Sequence, residues 1–427
     1  MNIAILTNFQ DFNPGYSLTG IVKDQCIMLK KFGHEVHVFT CESYNPAHGE
    51  PEAEIHSVMP FGHLIDYTTV KDLTVAHEVL GKKTANVIKE EFSKIGIDFA
   101  FTHDLIFTGW NLPYALGIKE ASRRIPELCW LHWVHSVPSQ NRDWWKIGDY
   151  GPQHRIAFPN GTERRRVAEQ FQGLEEHVRV VPHIKDLRTW YEFSEETVAF
   201  LDDHPGVMHA DFVQIYPAST DRLSAKRVDV VIQIFSQLKA RGFSICLVIA
   251  NQWATGTQRR EDITVYEKYA KTHKLNVGSE FIFTSEWEGK EDYTTGIPHR
   301  MLRELQLCSN LFIFPTREES FGLVGPEAAL GGAFMVLNKN LMMMAEVFGN
   351  NGIYFDFGSF DHDQKYDDLK KWYYDLGTII IGRCWQSENF RTRTWCRQHY
   401  NYDWLYINIY EPIFGEAKLW VKNSLGR

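Results

Sequence analysis

The chain contains no C-x-x-C pair, no low-complexity tract, no internal repeat and no apolar run approaching the roughly 18 residues of a membrane span. Each absence removes a class. Seven cysteines (Cys26, Cys41, Cys129, Cys246, Cys308, Cys384 and Cys396) are odd in number and scattered, which argues against a disulfide framework or a structural zinc site and suits a reducing cytoplasm. The opening Met1-Asn2-Ile3-Ala4-Ile5-Leu6 reads as a buried strand and lacks the charged region and cleavage site of a signal peptide. A formal charge of −9 gives no global attraction to nucleic acid or anionic membrane, leaving only local basic patches to consider. No metal constellation is visible. Asp361-His362-Asp363 has Asp-x-Asp spacing, but it lies in a polar stretch and reads as solvated.

At 427 residues the chain exceeds one ordinary core, so two domains are expected. Hydrophobic content of 44% and charged content of 23% describe a soluble globular protein. Apolar runs of strand length alternate with helical patterns from the start, which predicts an α/β fold with parallel sheets. The first series has strands at 3–7, 36–40, 99–102, 127–132, 155–158 and 178–181, with a helix over 19–32. A polar stretch, 192–206, reads as a linker. A second series follows, with strands at 212–216, 244–250, 280–284, 311–314 and 334–337 and helices at 228–241, 264–273 and 300–308.

The most informative stretch is 311–332. The strand Leu311 to Phe314 stops at Pro315, a loop carries Glu319 and the Phe321-Gly322-Leu323 turn, and a helix is predicted to start around Pro326 with Glu327 in its first turn. Free N–H groups and the positive dipole end at Gly322 to Gly325 favour a diphosphate, and Gly322 lets it approach the backbone. A carboxylate accepts hydrogen bonds from hydroxyls and repels phosphate. Glu319 and Glu327 are therefore expected at the hydroxyl-rich ends of a nucleotide-diphosphate sugar. Glu327 alone is also ordinary helix-start chemistry. Capping explains neither Glu319 nor the Phe-Gly-Leu turn.

This string resembles the E-x7-E signature of retaining glycosyltransferases of the GT-B fold, especially family 4. Pro315, Thr316, Glu319, Phe321, Gly322, Leu323, Glu327, Ala328 and Gly331 or Gly332 fill its pattern, whereas Glu318 is one position out of register. The resemblance implies two Rossmann-like, doubly wound domains facing a cleft: 1–205 for the acceptor, 206–380 for the donor, and C-terminal helices 381–427 returning to the first domain. Gly33-His34-Glu35-Val36 resembles the family's second-strand entry, and of its usual Gly pair before the first helix only Gly20 is kept.

In Asp221-Arg222-Leu223-Ser224-Ala225-Lys226-Arg227-Val228-Asp229 the resemblance assigns Lys226 and Arg222 to the diphosphate, where two cations assist departure of the nucleotide. Arg222 stands one residue nearer the Lys than in the family. A solvated charge cluster at a helix start is the plain alternative, and Arg227 fits it better. His135, in the segment 131–138, resembles the histidine that contacts the transferred sugar or a nearby phosphate; a buried structural histidine is its alternative. His103 and Asp104, at an earlier strand end, are expected to contact acceptor or donor. Ser320, Phe321, Gly322, Leu323, Glu327, Gly20 and Thr284 complete the expected donor set, Thr284 lying where relatives meet the base. His183 replaces the family's Asn in the segment 180–186 and is read as structural.

The resemblance implies sugar transfer from a nucleotide-diphosphate sugar to a hydroxyl acceptor with retention, metal-free and without a further cofactor. The acceptor is expected to be a saccharide or other soluble molecule. The mixed charge of the predicted helix from Lys71 to Lys94 argues against a lipid. Arg123-Arg124 and Arg164 to Arg166 keep hydroxymethylated DNA bases as an alternative acceptor. Because one fold can host several activities, a sugar phosphorylase, a nucleotide-sugar epimerase and a sugar-nucleotide binder without turnover are rival readings of the same residues.

Overall fold

The computed structural model describes residues 1–60, 73–104, 112–136, 146–183, 185–252, 260–289, 293, 295–363 and 366–425. The sequence readings at Lys71, Val137, Pro138 and Ile184 lie outside these residues. The chain forms two compact α/β units, Met1–Lys185 with Tyr402–Arg427, and Asp186–Asn401.

The first unit is built on β1 (Asn2–Leu6), β2 (Glu35–Cys41), β3 (Glu54–Met59), β4 (Phe99–His103), β5 (Cys129–Trp133), β6 (His154–Phe158) and β7 (Val178–Val180). They pair in the order β3-β2-β1-β4-β5-β6-β7, every pair parallel. Strands buried on both faces read as continuous apolar runs, which is why the central ones were visible in the sequence. Ile3 and Ile5 face a layer containing Val22 of the helix Ser17–Lys31 and Phe414 of the helix Glu411–Leu425. Ala4 and Leu6 point the other way, toward Ile88 of Val75–Ile95 and Ile118 of Leu112–Arg124. Because the strands are parallel, their carboxyl ends share one edge, the usual ligand-binding edge of such sheets.

The second unit holds two three-stranded parallel sheets. One has β8 (Phe212–Ser219), β9 (Ile245–Gln252) and β10 (Phe281–Phe283) in the order β10-β9-β8. The other has β11 (Leu311–Phe314), β12 (Phe334–Asn338) and β13 (Ile353–Phe355) in the order β11-β12-β13. Side chains join β8 to β11. The Gln214 amide donates to Ile313 O at 3.0 Å and accepts from Ile313 N at 2.9 Å. Val213 N donates to Asn310 Oδ1 at 2.9 Å, and Asn310 N donates back to Val213 O at 3.1 Å. Strand order reverses across this seam, so its carboxyl end is a topological switch point.

Three expectations change. The stretch 192–206 is no free linker: it holds the helix Glu195–Asp203, and Glu304 accepts hydrogen bonds from Ser194 N, Ser194 Oγ and Thr197 Oγ1 that tie it into the second unit. The division between units falls after Lys185, not at 205. The return to the first unit begins at Tyr402 rather than 381. The helix Glu388–His399 stays with the second unit because its buried Arg397 donates to the carbonyls of Val207, Met208 and Ala210.

Candidate functional site

In the second unit, β8 ends at Ser219 and the chain turns through Thr220–Arg222 into the helix Val228–Ala240. The turn is held by Lys226 N donating to Arg222 O at 2.9 Å and by the buried Tyr216 hydroxyl donating to Lys226 O at 2.7 Å. Arg227 takes a left-handed φ of 55°, which ends the turn and starts the helix. Lys226 is thereby aimed across the seam. Its ammonium pairs with Glu319 Oε1 and lies 5.5 Å from the centre of the Phe314 ring. Both side chains of the pair are only 12% exposed. Arg222 is exposed on the same turn.

The partner loop leaves β11 after Phe314. Arg317 N donates to Ala225 O at 3.0 Å, lashing this loop to the Lys226 turn, and Asn338 Nδ2 holds Thr316 O at 2.9 Å. Gly322 has φ 69°, and a Cβ there would lie 3.1 Å from the Phe314 ring, so backbone conformation and space both select glycine. The helix begins at Val324, two residues before Pro326, and runs only to Leu330. Gly325 N is taken by Gly322 O at 2.8 Å, so the supply of free N–H groups expected at 322–325 is smaller by one. Ser320, Phe321 and Leu323 are exposed around this turn.

Two neighbouring cavities open here. One, of about 360 Å³, is lined by Ser219, Arg222, Lys226, Asn251, Gln252, Gly296 and Val324, among others. The second, of about 310 Å³, contains Glu327, Arg303 and Gln306. His299 and Leu302 border both, and His299 Nε2 is 3.9 Å from Glu327 Oε1. The two carboxylates of the E-x7-E string therefore sit in different surroundings, Glu319 against Lys226 and Glu327 beside His299. Thr284 is fully buried and lines neither cavity, which corrects its expected contact with a base. It belongs to a network around buried Asn251, whose amide donates to Thr220 Oγ1 at 3.1 Å and Ser285 Oγ at 2.8 Å. Asn251, Gln252, Gly296 and His299 were missed in the sequence. Gly296, with φ 122° beside Gln252, was the one signal available.

In the first unit the expected Gly20 loop is part of the helix Ser17–Lys31, with Lys185 Nζ 3.6 Å from the position of a Cβ. That lysine pairs with Asp24, whose other oxygen accepts from Tyr402 Oη at 2.9 Å. His135 is brought together with His103 and with His183. His103 Nδ1 lies 3.0 Å from His135 Nε2, and His135 Nδ1 lies 2.7 Å from His183 Nε2. The inner end is fixed by Gln25, whose Oε1 is 2.8 Å from His103 Nε2 while its amide donates to Tyr410 Oη at 3.1 Å. Burial holds all three imidazoles below the usual histidine range, His103 at about 3. With neutral rings and the Gln25 oxygen accepting from His103, every ring carries its proton on Nε2. The chain of donors then ends at His183 Nδ1, a lone pair on an exposed residue. Both nitrogens of His135 are engaged, so His183 is the exposed end of the row.

Asp104 closes this site. It takes a φ of 51°, accepts from His135 N at 2.8 Å and from Ser136 Oγ at 3.4 Å, and burial pushes its carboxyl up to about 6. A second pair, His132 and His154, is buried behind the row, with Nε2 and Nδ1 2.7 Å apart.

No protein-family model matches the chain, and no curated protein matches it in sequence. Among solved structures it is similar to a glycosyltransferase from Rickettsia africae, with 12% identity, a TM-score of 0.36 and coverage of 97% of this chain and 98% of that one. A sucrose-phosphate synthase from Thermosynechococcus elongatus gives 15% identity, a TM-score of 0.35 and coverage of 97% and 99%. HepE from Anabaena, solved with UDP-glucose, gives 14% identity, a TM-score of 0.33 and coverage of 97% and 100%. At these scores the likenesses carry no weight for the site. Among the described residues, no helix is long and apolar enough to cross a membrane.

Proposed function

We propose that the chain is a retaining glycosyltransferase of the GT-B type, taking a sugar from a nucleotide diphosphate to a hydroxyl acceptor. The observation that carries this is the meeting of Lys226 and Glu319 at the carboxyl end of the β8–β11 seam, with Arg222 on the Lys226 turn. A cation that will receive a phosphate and a carboxylate that will receive hydroxyls are held against one another there. On donor binding the diphosphate replaces Glu319 as the partner of Lys226, and Glu319 turns to the sugar hydroxyls. Glu327 is assigned to the ribose.

In the proposed reaction the bond from the anomeric carbon to the diphosphate oxygen breaks as the acceptor oxygen bonds to the same face of the sugar. The acceptor proton passes to the departing phosphate. Lys226 and Arg222 neutralise the charge that develops on the diphosphate, so no metal is assigned to this step. Neither carboxylate is assigned as a covalent nucleophile, unlike retaining glycosidases. To the first unit we assign acceptor binding through His183 and Asp104. A saccharide suits it better than DNA, because four of the five arginines in the basic tracks already pair with neighbouring carboxylates and the fifth, Arg164, donates to Glu175 O. Arg123 and Arg124 pair with Glu120, Arg165 with Glu169 and Arg166 with Glu163. Seven unpaired cysteines, six of them buried, support a cytoplasmic setting.

The test is release of free nucleoside diphosphate from UDP- and GDP-sugars, with saccharides and hydroxymethylated DNA as acceptors. Acceptor-dependent release with an α-linked product from an α-linked donor is expected. Donor binding without release under any acceptor would make the chain a binder instead. Release of sugar 1-phosphate from an oligosaccharide supplied with inorganic phosphate would make it a phosphorylase.

A further inference from the structure

We propose that His37, Glu54 and His56 form a site for one divalent transition-metal ion of the zinc class at the edge of the first unit's sheet. Strand geometry assembles it. His37 on β2 is the register partner of Glu54 on β3, and Glu54 and His56, two residues apart on one strand, project from the same face. His37 Nδ1 lies 3.1 Å from His56 Nε2 and 3.3 Å from Glu54 Oε2, and His56 Nε2 lies 3.7 Å from Glu54 Oε1. Bonds of about 2.0–2.1 Å to a tetrahedral zinc place its ligand atoms roughly 3.3 Å apart. The two imidazole nitrogens stand at one edge of such a tetrahedron, and the Glu54 carboxylate straddles them, with Oε2 toward His37 and Oε1 toward His56.

Two imidazoles and one carboxylate suit zinc, cobalt or nickel, and are poor ligands for calcium or magnesium, which require oxygen. The histidine side chains are 10% and 12% exposed and the Glu54 side chain 66%, giving an entry path and room for water as fourth ligand. The His56 ring is held against Phe39, centroids 4.8 Å apart and planes at 17°. From the helix Val75–Ile95, Glu91 and Lys94 are the other charges that act on the cluster.

The position argues for a structural ion. His37 and Ala100 are both register partners of Ala4, and His103 lies three residues further along β4, roughly 10 Å toward the carboxyl edge. His56, however, is level with Thr102 through Phe39 and Leu6, so it is the face that separates the two sites: His37 and His56 lie on the Phe39 side of the sheet and His103 on the Phe101 side. There it would bind edge strand β3 to β2, independently of the proposed transfer chemistry.

Titration of the chelator-stripped full chain with Co2+ tests this. One equivalent should bind with the visible d–d bands of a four-coordinate ion, and Zn2+ should displace it. Glu54→Gln and His56→Gln should each weaken Co2+ binding on the order of 100-fold or more, since changes to residues that merely support a ligand already cost 10–100-fold. His183→Ala should leave the titration unchanged. Zn2+ should raise the melting temperature of the natural chain and not of Glu54→Gln, an exposed change that spares the core. Absence of the bands under excess Co2+ would overturn the site. So would Glu54→Gln titrating like the natural chain, or loss of the bands in His183→Ala.

Discussion

Lys226 and Glu319, 93 residues apart in the chain, neutralise each other in a pair largely withdrawn from water. The cation proposed to receive the diphosphate is thus committed to an internal partner before donor arrives. Two consequences follow for measurement. Lys226→Met leaves a shielded carboxylate unpaired and should lower stability by about 1–3 kcal/mol, below the figure for a fully buried pair. The double change Lys226→Met with Glu319→Leu should recover most of that loss in urea unfolding. Glu319→Ala should lower kcat on the order of 100-fold, the scale of losing one transition-state contact. Full turnover in Glu319→Ala would remove it from the sugar site.

Gly322 should tolerate no side chain. Gly322→Ala places a Cβ at a left-handed φ and against the Phe314 ring, so a loss of about 1–2 kcal/mol is expected. Because the same ring lies below the Lys226 ammonium, donor affinity should fall with it. Calorimetry for donor binding and thermal unfolding, run on one preparation, separates the two effects.

Acid should unfold the first unit through its histidines. Burial lowers His103 and His132 to about 3 and depresses His135 and His154 strongly. The folded state therefore binds fewer protons than the unfolded chain, whose histidines titrate near 6.5. Their stabilising contribution is complete above about pH 6.5 and is lost as pH falls toward 3, by up to about 1.4 kcal/mol per pH unit for each group. Urea midpoints measured from pH 7 to 4.5 should fall steeply. His132→Asn, away from the proposed contacts, should flatten the slope; an unchanged slope would show that these rings are not buried neutral.

His183 and Asp104 should shape the pH–rate profile. His183→Ala removes the only outward lone pair of the row and should lower turnover about 10- to 100-fold, while His183→Asn, which keeps an acceptor, should lose less. Asp104 ionises near pH 6, and above that its carboxylate holds His135 N and Ser136 Oγ. Rates should rise through this range in the natural chain. The step should vanish in Asp104→Asn.

The sequence made the central strands legible because their residues are apolar on both faces. It hid β3, an edge strand whose Glu54, His56 and Ser57 leave it half-polar. The stretch 192–206 misled for a related reason: its acids are structural, Asp202 pairing with Arg188 and Asp203 accepting from Trp287 Nε1 at 2.8 Å. In the candidate site, the spacing of Glu319, Gly322 and Glu327 was readable because one loop carries all three. The partnership of Glu319 with Lys226 was not, since it depends on two strands meeting across a seam. Thr284 was misplaced because a threonine at a strand end is as easily turned inward as outward. His183 was read as structural from its departure from a pattern, and the structure adds that it joins the row of rings through His135.

A backbone ladder is indifferent to which side chains it carries, but the join between β8 and β11 is not. Gln214 supplies the bonds that a strand pairing would otherwise provide, five residues and roughly 16 Å below the end of β8. The spacing between the Lys226 and Glu319 loops is therefore inherited partly through that amide, alongside the Val213–Asn310 bonds and the Arg317–Ala225 bond at the rim. Drift at that position could widen or narrow the grip on a donor while every residue at the rim stayed the same. Relatives with matching rims and different donor sizes are best compared at the foot of the seam.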